Sequence, residues 1–195
     1  MNITSIIAGR IRELRSSRGW SLETLAERSA VSRATISLIE RGQSSPTATV
    51  LDKLASALGV SLASLFEQVP TNPTPELLPI SRAHEQQTWR DPESGYVRRN
   101  LSPPVNAPTQ LVEVSFPPGQ SVSYETAHRD TNIHQQIWVI EGEMVITVGE
   151  ARWVLKAGDC LAMRLDSPTS FRNVTSKHAR YLVALTNYSF DNSEN

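Results

Sequence analysis

The chain has one cysteine among 195 residues and almost no net charge, and it lacks any apolar run of about 18 residues or more. Each scarcity excludes something. Cys160 alone permits neither an intramolecular disulfide nor a multi-cysteine metal site, which fits a reducing compartment. Its setting, GDCLAM, reads as a strand start, and the thiol is expected to be buried and inert. Without a long apolar run no membrane-spanning helix is predicted, and the N-terminal MNITSIIAGRIRELR becomes charged too early for a secretory signal. A cytoplasmic protein with no membrane partner is expected. A hydrophobic content of 39% is ordinary for a soluble globular chain, and the length suits two small domains better than one.

The net charge of −1 hides an asymmetry. Residues 1 to 41 carry seven arginines against four acidic residues, while residues 70 to 195 carry eleven basic and fourteen acidic ones. A polyanion would be met by the amino end. The excess is modest, so affinity has to come from a concentrated patch and from dimerisation more than from overall charge.

Residues 21 to 42, SLETLAERSAVSRATISLIERG, describe two short helices joined by a tight turn. Leu22, Leu25 and Ala26 share one face, Val31 sits in the turn, and Ile36 and Ile39 share a face of the second helix. Ser21 and Ser32 stand where N-caps are wanted, and Gly42 suits a left-handed end to the second helix. With the core faces assigned, Arg33, Thr35, Ser37 and Arg41 remain on the open side or ends of that helix. These side chains suit phosphate and base-edge contacts. An ordinary helical bundle would share the apolar spacing but leaves the caps, the turn and the polar face unexplained. A preceding helix is predicted from about residue 3 to 17, with Ile7, Ile11 and Leu14 inward, Arg10, Arg12, Arg15 and Arg18 mostly solvated, and its end near Gly19.

After Phe66 the stretch QVPTNPTPELLP, with Pro70, Pro73, Pro75 and Pro79, denies a helix and favours an extended linker over 70–80. From Ile80 the pattern becomes short alternating segments between turns, among them TQLVEVSF, HQQIWVIEG, EMVITVG and ARYLVALTN. That is an all-β domain, whose strands must close into a barrel or sandwich to hide their edges.

The run LAERSAVSRATISLIERG followed by SSPTATVLDKLASALGVSLASLF resembles the helix-turn-helix of the xenobiotic-response-element type, the fold of the lambda repressor, over roughly residues 6 to 68. The resemblance implies a five-helix DNA-binding domain, placed here at 1–69. It also implies base-edge readout by Arg33 and Thr35, with Ser21, Ser32, Ser37 and Arg41 as phosphate or secondary contacts. The remainder, 81–195, resembles the cupins, double-stranded β-helix barrels, from about Leu111 to Leu185. That likeness is carried by PPG at 117 to 119, HRDTNIHQQIWVIEGEMVITVG and LKAGDCLAMRLDSPTSFRNV. The fold class expected is multidomain α + β.

Metal-bearing cupins place two histidines and a glutamate in the first signature and a histidine in the second. Counted back from Gly142, the glutamate position falls on Gln135, and the histidine positions fall on His128 and Asp130 or on Arg129 and Thr131. The last ligand position falls on Thr169 or Ser170. Amides and hydroxyls hold a divalent transition ion poorly, so no metal, no cofactor and no catalytic residue is expected. Strand alternation turns Gln135, Ile137 and Val139 inward and Gln136, Trp138 and Ile140 outward. The ligand-binding candidates are His128, His134 and Gln135 at the mouth, with Met163 and Phe171 lining the cavity.

These readings point to a sequence-specific DNA-binding transcriptional regulator. Its partners would be double-stranded DNA carrying a pseudo-palindromic operator, a second copy of itself in a homodimer, and a small-molecule effector. Two alternatives stand beside it. One is a metal-dependent cupin enzyme, because the fosfomycin-forming epoxidase family joins the same two kinds of domain. The other is a ligand-free cupin that serves only dimerisation.

Overall fold

The computed structural model describes residues 2–67, 79–105, 107–125 and 132–188. Four α-helices come first: α1 (Ile3–Ser17), α2 (Leu22–Ser29), α3 (Arg33–Glu40) and α4 (Ala48–Ala57). Each opens on a side-chain oxygen that accepts an early backbone N–H, from Asn2, Ser21, Ser32 and Thr47 respectively. These caps satisfy donors that the helix itself leaves orphaned. Gly19 and Gly42 take positive φ just beyond α1 and α3, as their sequence positions predict.

Of the five helices expected, the fifth is a single 3₁₀ turn at Ala63–Phe66. The reason is local. Gly59, at φ +64, ends α4, and Ser61 then caps Ser64 N–H at 3.1 Å. Glu67 then turns extended, at ψ 137, so the turn closes after Phe66.

The helices pack Ile7, Ile11, Leu25, Ile36, Ile39, Leu51 and Leu54 into one fully buried core. At its edge Glu40, itself buried, accepts a fork from Arg15, with Nε at 2.7 Å from Oε1 and Nη2 at 2.8 Å from Oε2. Of the arginines expected to be mostly solvated, Arg12 and Arg18 are exposed while Arg10 and Arg15 are half-buried, and all four bond to groups of the protein. Arg10 reaches the Ser64 carbonyl, Arg12 the Glu40 carbonyl, and Arg18 the carbonyls of Leu14 and Leu58. Carbonyls at helix ends lack intrahelical donors, and a guanidinium fork supplies several N–H groups at once.

Ten strands follow among the described residues: β1 (Thr88–Arg90), β2 (Val97–Asn100), β3 (Thr109–Phe116), β4 (Ser121–Tyr124), β5 (Asn132–Glu141), β6 (Glu143–Val148), β7 (Ala151–Lys156), β8 (Cys160–Arg164), β9 (Thr169–Arg172) and β10 (Ala179–Tyr188). They form a six-stranded sheet, β1-β2-β3-β10-β5-β8, and a four-stranded sheet, β4-β9-β6-β7. The expected barrel is therefore two sheets that share a core, with no ladder joining them into a closed ring among the described residues. Gln135, Ile137 and Val139 face that core while Trp138 is 47% exposed. The same parity overturns the expectation for Cys160. Leu161 pairs with inward Ile137, so Cys160 pairs with outward Trp138 and is exposed.

The helices and the sheets are joined through side chains. Phe66 meets Trp89 edge-on at 5.6 Å, Trp89 meets Tyr96 at 5.7 Å, and Tyr96 stacks on Phe116 at 5.5 Å. Asp91, just after β1, accepts the Ala48 N–H at 2.9 Å, so a residue from the β part caps α4. The linker expected at 70–80 lies outside the described residues except for Pro79 and Ile80, both exposed.

The turn between β5 and β6 allows a quantitative expectation. A Cβ at Gly142 (φ +81) would sit 2.7 Å from the His178 carbonyl oxygen and 2.9 Å from Ala179 Cα. At Gly119 (φ +69) it would meet nothing within 4 Å. Gly142→Ala should therefore cost roughly 3 kcal/mol or more, and Gly119→Ala only the left-handed backbone penalty of about 1–2 kcal/mol. Denaturant unfolding of the two variants, compared with the parent chain, checks the difference.

Candidate functional site

The open face of α3 follows from what its other face buries. Ile36, Ile39 and Glu40 turn inward, which leaves Arg33, Ala34, Leu38 and Arg41 exposed, with Ser37 half-buried among them. Ser32 caps Thr35 N–H at 3.1 Å, and the two hydroxyls lie 2.7 Å apart. Ser21 caps Thr24 N–H at 3.0 Å. Ser21, Ser32 and Thr35 are thus held by their own helix starts. Arg33 faces Glu23 across 3.6 Å with both side chains 67% exposed, a pairing worth little in water. Arg41 donates to Gln43 Oε1 and to the Ser37 hydroxyl. The residue missed by sequence reasoning on this face is Leu38, 39% exposed. An apolar side chain among polar ones on a helix end suits a thymine methyl.

A cavity of about 60 Å³ lies between the helical part and the sheets. Its β wall carries Tyr96 and Arg98 from the region of β2, Tyr124 from β4, Gln135 from β5, Thr169 from β9 and Tyr181 from β10. Its helical wall carries Asp52 of α4 together with Leu62 and Ala63. Arg98 is only 8% exposed, its Cζ lies 5.1 Å above the Phe66 ring, and among the described residues its Nη2 has no hydrogen-bond partner. Burial pulls the Arg98 pKa below its ordinary value, with the neighbouring phenols of Tyr96, Tyr124 and Tyr181 opposing that shift. Burial pushes the phenols up, Tyr96 to about 12 and the other two well above 10. Tyr96 and Tyr124 share a hydrogen bond of 3.0 Å. At neutral pH the wall therefore presents one cation and three uncharged hydroxyls.

Of the ligand candidates, Gln135 and Phe171 line this cavity. Met163 pairs with Gln135 across β5 and β8 and packs against the core, outside the cavity lining. His134 is half-exposed on the opposite face of β5 from Gln135, because neighbours along a strand alternate. His128 lies outside the described residues, as do Asp130, Arg129 and Thr131. Gln135 and Thr169, which the cupin resemblance puts at ligand positions with Ser170 as the alternative to Thr169, both line the cavity. An amide and a hydroxyl beside a guanidinium do not fit a divalent ion, which needs several imidazole or carboxylate donors. Among the described residues no three His, Cys, Asp or Glu side chains cluster as a metal site would require. Sequence reasoning missed Arg98 and the tyrosines. The available signal was parity: in YVRRN, Tyr96 and Arg98 stand two apart and share a face if the segment is a strand.

The helix-turn-helix family model matches residues 11–65, and the cupin domain model matches residues 112–185. The chain is 28% identical to the HTH-type transcriptional regulator PuuR of Escherichia coli (strain K12), covering 93% of this chain and 95% of that one. It is 26% identical to the HTH-type transcriptional regulator SutR of the same organism, covering 88% and 89%. The uncharacterized HTH-type transcriptional regulator y4dJ of Sinorhizobium fredii is 36% identical over 38% of this chain and 95% of its own length. Among solved structures, an HTH_3 family transcriptional regulator from Vibrio cholerae is 26% identical. It superposes over 96% of this chain and 97% of its own with a TM-score of 0.72.

The buried phenols carry a pH expectation. A phenol whose folded pKa is raised favours the native state below its ordinary value near 10, and that contribution disappears as pH rises through the folded value. Unfolding free energy should therefore fall between pH 10 and about 12. Tyrosinate absorbance should show Tyr96, Tyr124 and Tyr181 ionising only as the protein unfolds, whereas four independent titrations near pH 10 would contradict the burial.

Proposed function

We propose that this chain, which belongs to the helix-turn-helix family of transcriptional regulators, is a sequence-specific DNA-binding regulator whose cupin domain senses a small molecule. The division taken is 1–69 for DNA binding, 70–80 for the linker and 81–195 for sensing. The observation that carries the DNA reading is the open face of α3, where Arg33, Ser37, Leu38 and Arg41 surround no core contact of their own. Arg33 is assigned base-edge readout, since a guanidinium fork matches guanine O6 and N7. Thr35 joins it by releasing its hydroxyl from Ser32. Ser21 and Ser32 contact phosphates at the helix starts they cap, Ser37 contacts phosphate from within α3, and Arg41 adds a phosphate contact.

One such helix reads only a few base pairs, so useful selectivity asks for two copies on a pseudo-palindromic operator, with half-sites about 34 Å apart. The homodimer is supported by Trp138, nearly half exposed on the outward face of β5, with exposed Cys160 beside it on β8. A second copy of the same face would cover it. The regulator works in the cytoplasm, and among the described residues no helix is long and apolar enough to cross a membrane.

Sensing is supported by the shared cavity. Asp52, Leu62 and Ala63 belong to the helical part, and Gln135, Thr169 and Phe171 to the sheets. A molecule held there touches both, and it shifts operator affinity by its different affinity for the two arrangements of the parts. A buried guanidinium on the wall is a costly feature for a module that only dimerises. Enzymatic chemistry at a metal is disfavoured by the donor set of Gln135 and Thr169.

The experiment is footprinting to find the operator, followed by titration of labelled operator at moderate salt. Arg33→Ala should weaken binding about tenfold or more, corresponding to roughly 1–3 kcal/mol, and relax preference at one base position. Trp138→Glu should convert the dimer to a monomer by sedimentation and weaken operator binding with it. Unchanged operator affinity for Arg33→Ala would remove the assigned role.

A further inference from the structure

We infer that the cavity binds a small organic monocarboxylate, with Arg98 as the residue that recognises its charge. The inference rests on the sensing role proposed above and names the chemistry of the ligand. A guanidinium is seldom buried without a matching anion, because desolvating it costs several kcal/mol that only a partner restores. Among the described residues no carboxylate is hydrogen-bonded or ion-paired to Arg98: the groups acting on its charge are phenols, and its Nη2 reaches no acceptor. The Phe66 ring beneath it supplies a cation–π contact, which is weaker than a carboxylate fork.

The surrounding groups fit the same anion. Tyr96, Tyr124 and Tyr181 stay protonated, and since one proton of the Tyr96–Tyr124 pair is spent on their own hydrogen bond, two of the three hydroxyls can donate to carboxylate oxygens. Gln135 adds a neutral amide donor on the β wall, and Phe171 offers an apolar surface for a short carbon chain. Size narrows the class. About 60 Å³, at roughly 10–15 Å³ for each water-sized position, leaves room for about four to six heavy atoms.

The test is calorimetric titration of the full-length protein with acetate, pyruvate and lactate, and with succinate and methylammonium as size and charge controls. At least one monocarboxylate should bind saturably and raise the melting temperature, while methylammonium and succinate should not. Arg98→Met should abolish that binding, by about 100-fold or more, and Arg98→Lys should retain part of it. Should Arg98→Met fail to fold by circular dichroism, Tyr124→Phe keeps the charge, removes one donor, and is expected to weaken binding several-fold. The proposal is overturned if none of the three acids binds the wild-type protein. It is overturned equally if folded Arg98→Met binds as well as wild type, or if Tyr124→Phe used in its place leaves affinity unchanged. Operator titration in parallel separates the two readings. Operator binding without carboxylate binding sinks this inference alone, and carboxylate binding without operator binding sinks the regulator instead.

Discussion

The contact between Phe66 and Trp89 is where a helical bundle and a pair of sheets become one molecule. From it an aromatic chain runs through Tyr96 to Phe116, deep in the β core. Such pairs contribute about 0.5–1.5 kcal/mol each beyond the area they bury, so the three together are worth roughly 2–4 kcal/mol. The Asp91 cap on α4 adds a directional constraint, because it fixes the first turn of a helix against a loop of the sheet. Packing alone allows sliding. A hydrogen bond to a single backbone N–H does not.

The position of the cavity follows from that junction. Arg98 leans on the same Phe66 that meets Trp89, and Tyr96 belongs both to the aromatic chain and to the cavity wall. A change at the wall is thus one side chain away from the seam between the two parts. The burial penalty for a guanidinium is of the same order as the whole aromatic contribution. The site is consequently poised: what compensates Arg98 also bears on how the helices sit against the sheets.

The DNA-reading end is built on different physics. Ser21, Ser32 and Thr35 are committed to helix starts, and the forked pair of Arg15 with Glu40 locks α1 onto the end of α3. Most arginines of the positive amino end therefore serve cohesion. Arg33 and Arg41 stay exposed because the helix that carries them buries its other face.

Local patterns made much of this legible. Helix starts at Ser21 and Ser32, the left-handed end at Gly42, and the inward parity of Gln135, Ile137 and Val139 depend on neighbours a few residues away, which is the range over which caps and strand alternation act. The two family resemblances rested on the same short-range signals. The fifth helix was misjudged because likeness to a fold does not show where the backbone turns extended, here at Glu67. Cys160 was misjudged because a strand start does not state its parity, which comes from pairing with β5. The fate of the α1 arginines, the placing of Asp52 and Arg98 around one cavity across more than forty residues, and the aromatic seam were decided only in three dimensions. A side chain's partner across such a separation is chosen by how whole elements pack, and no spacing along the chain encodes that choice.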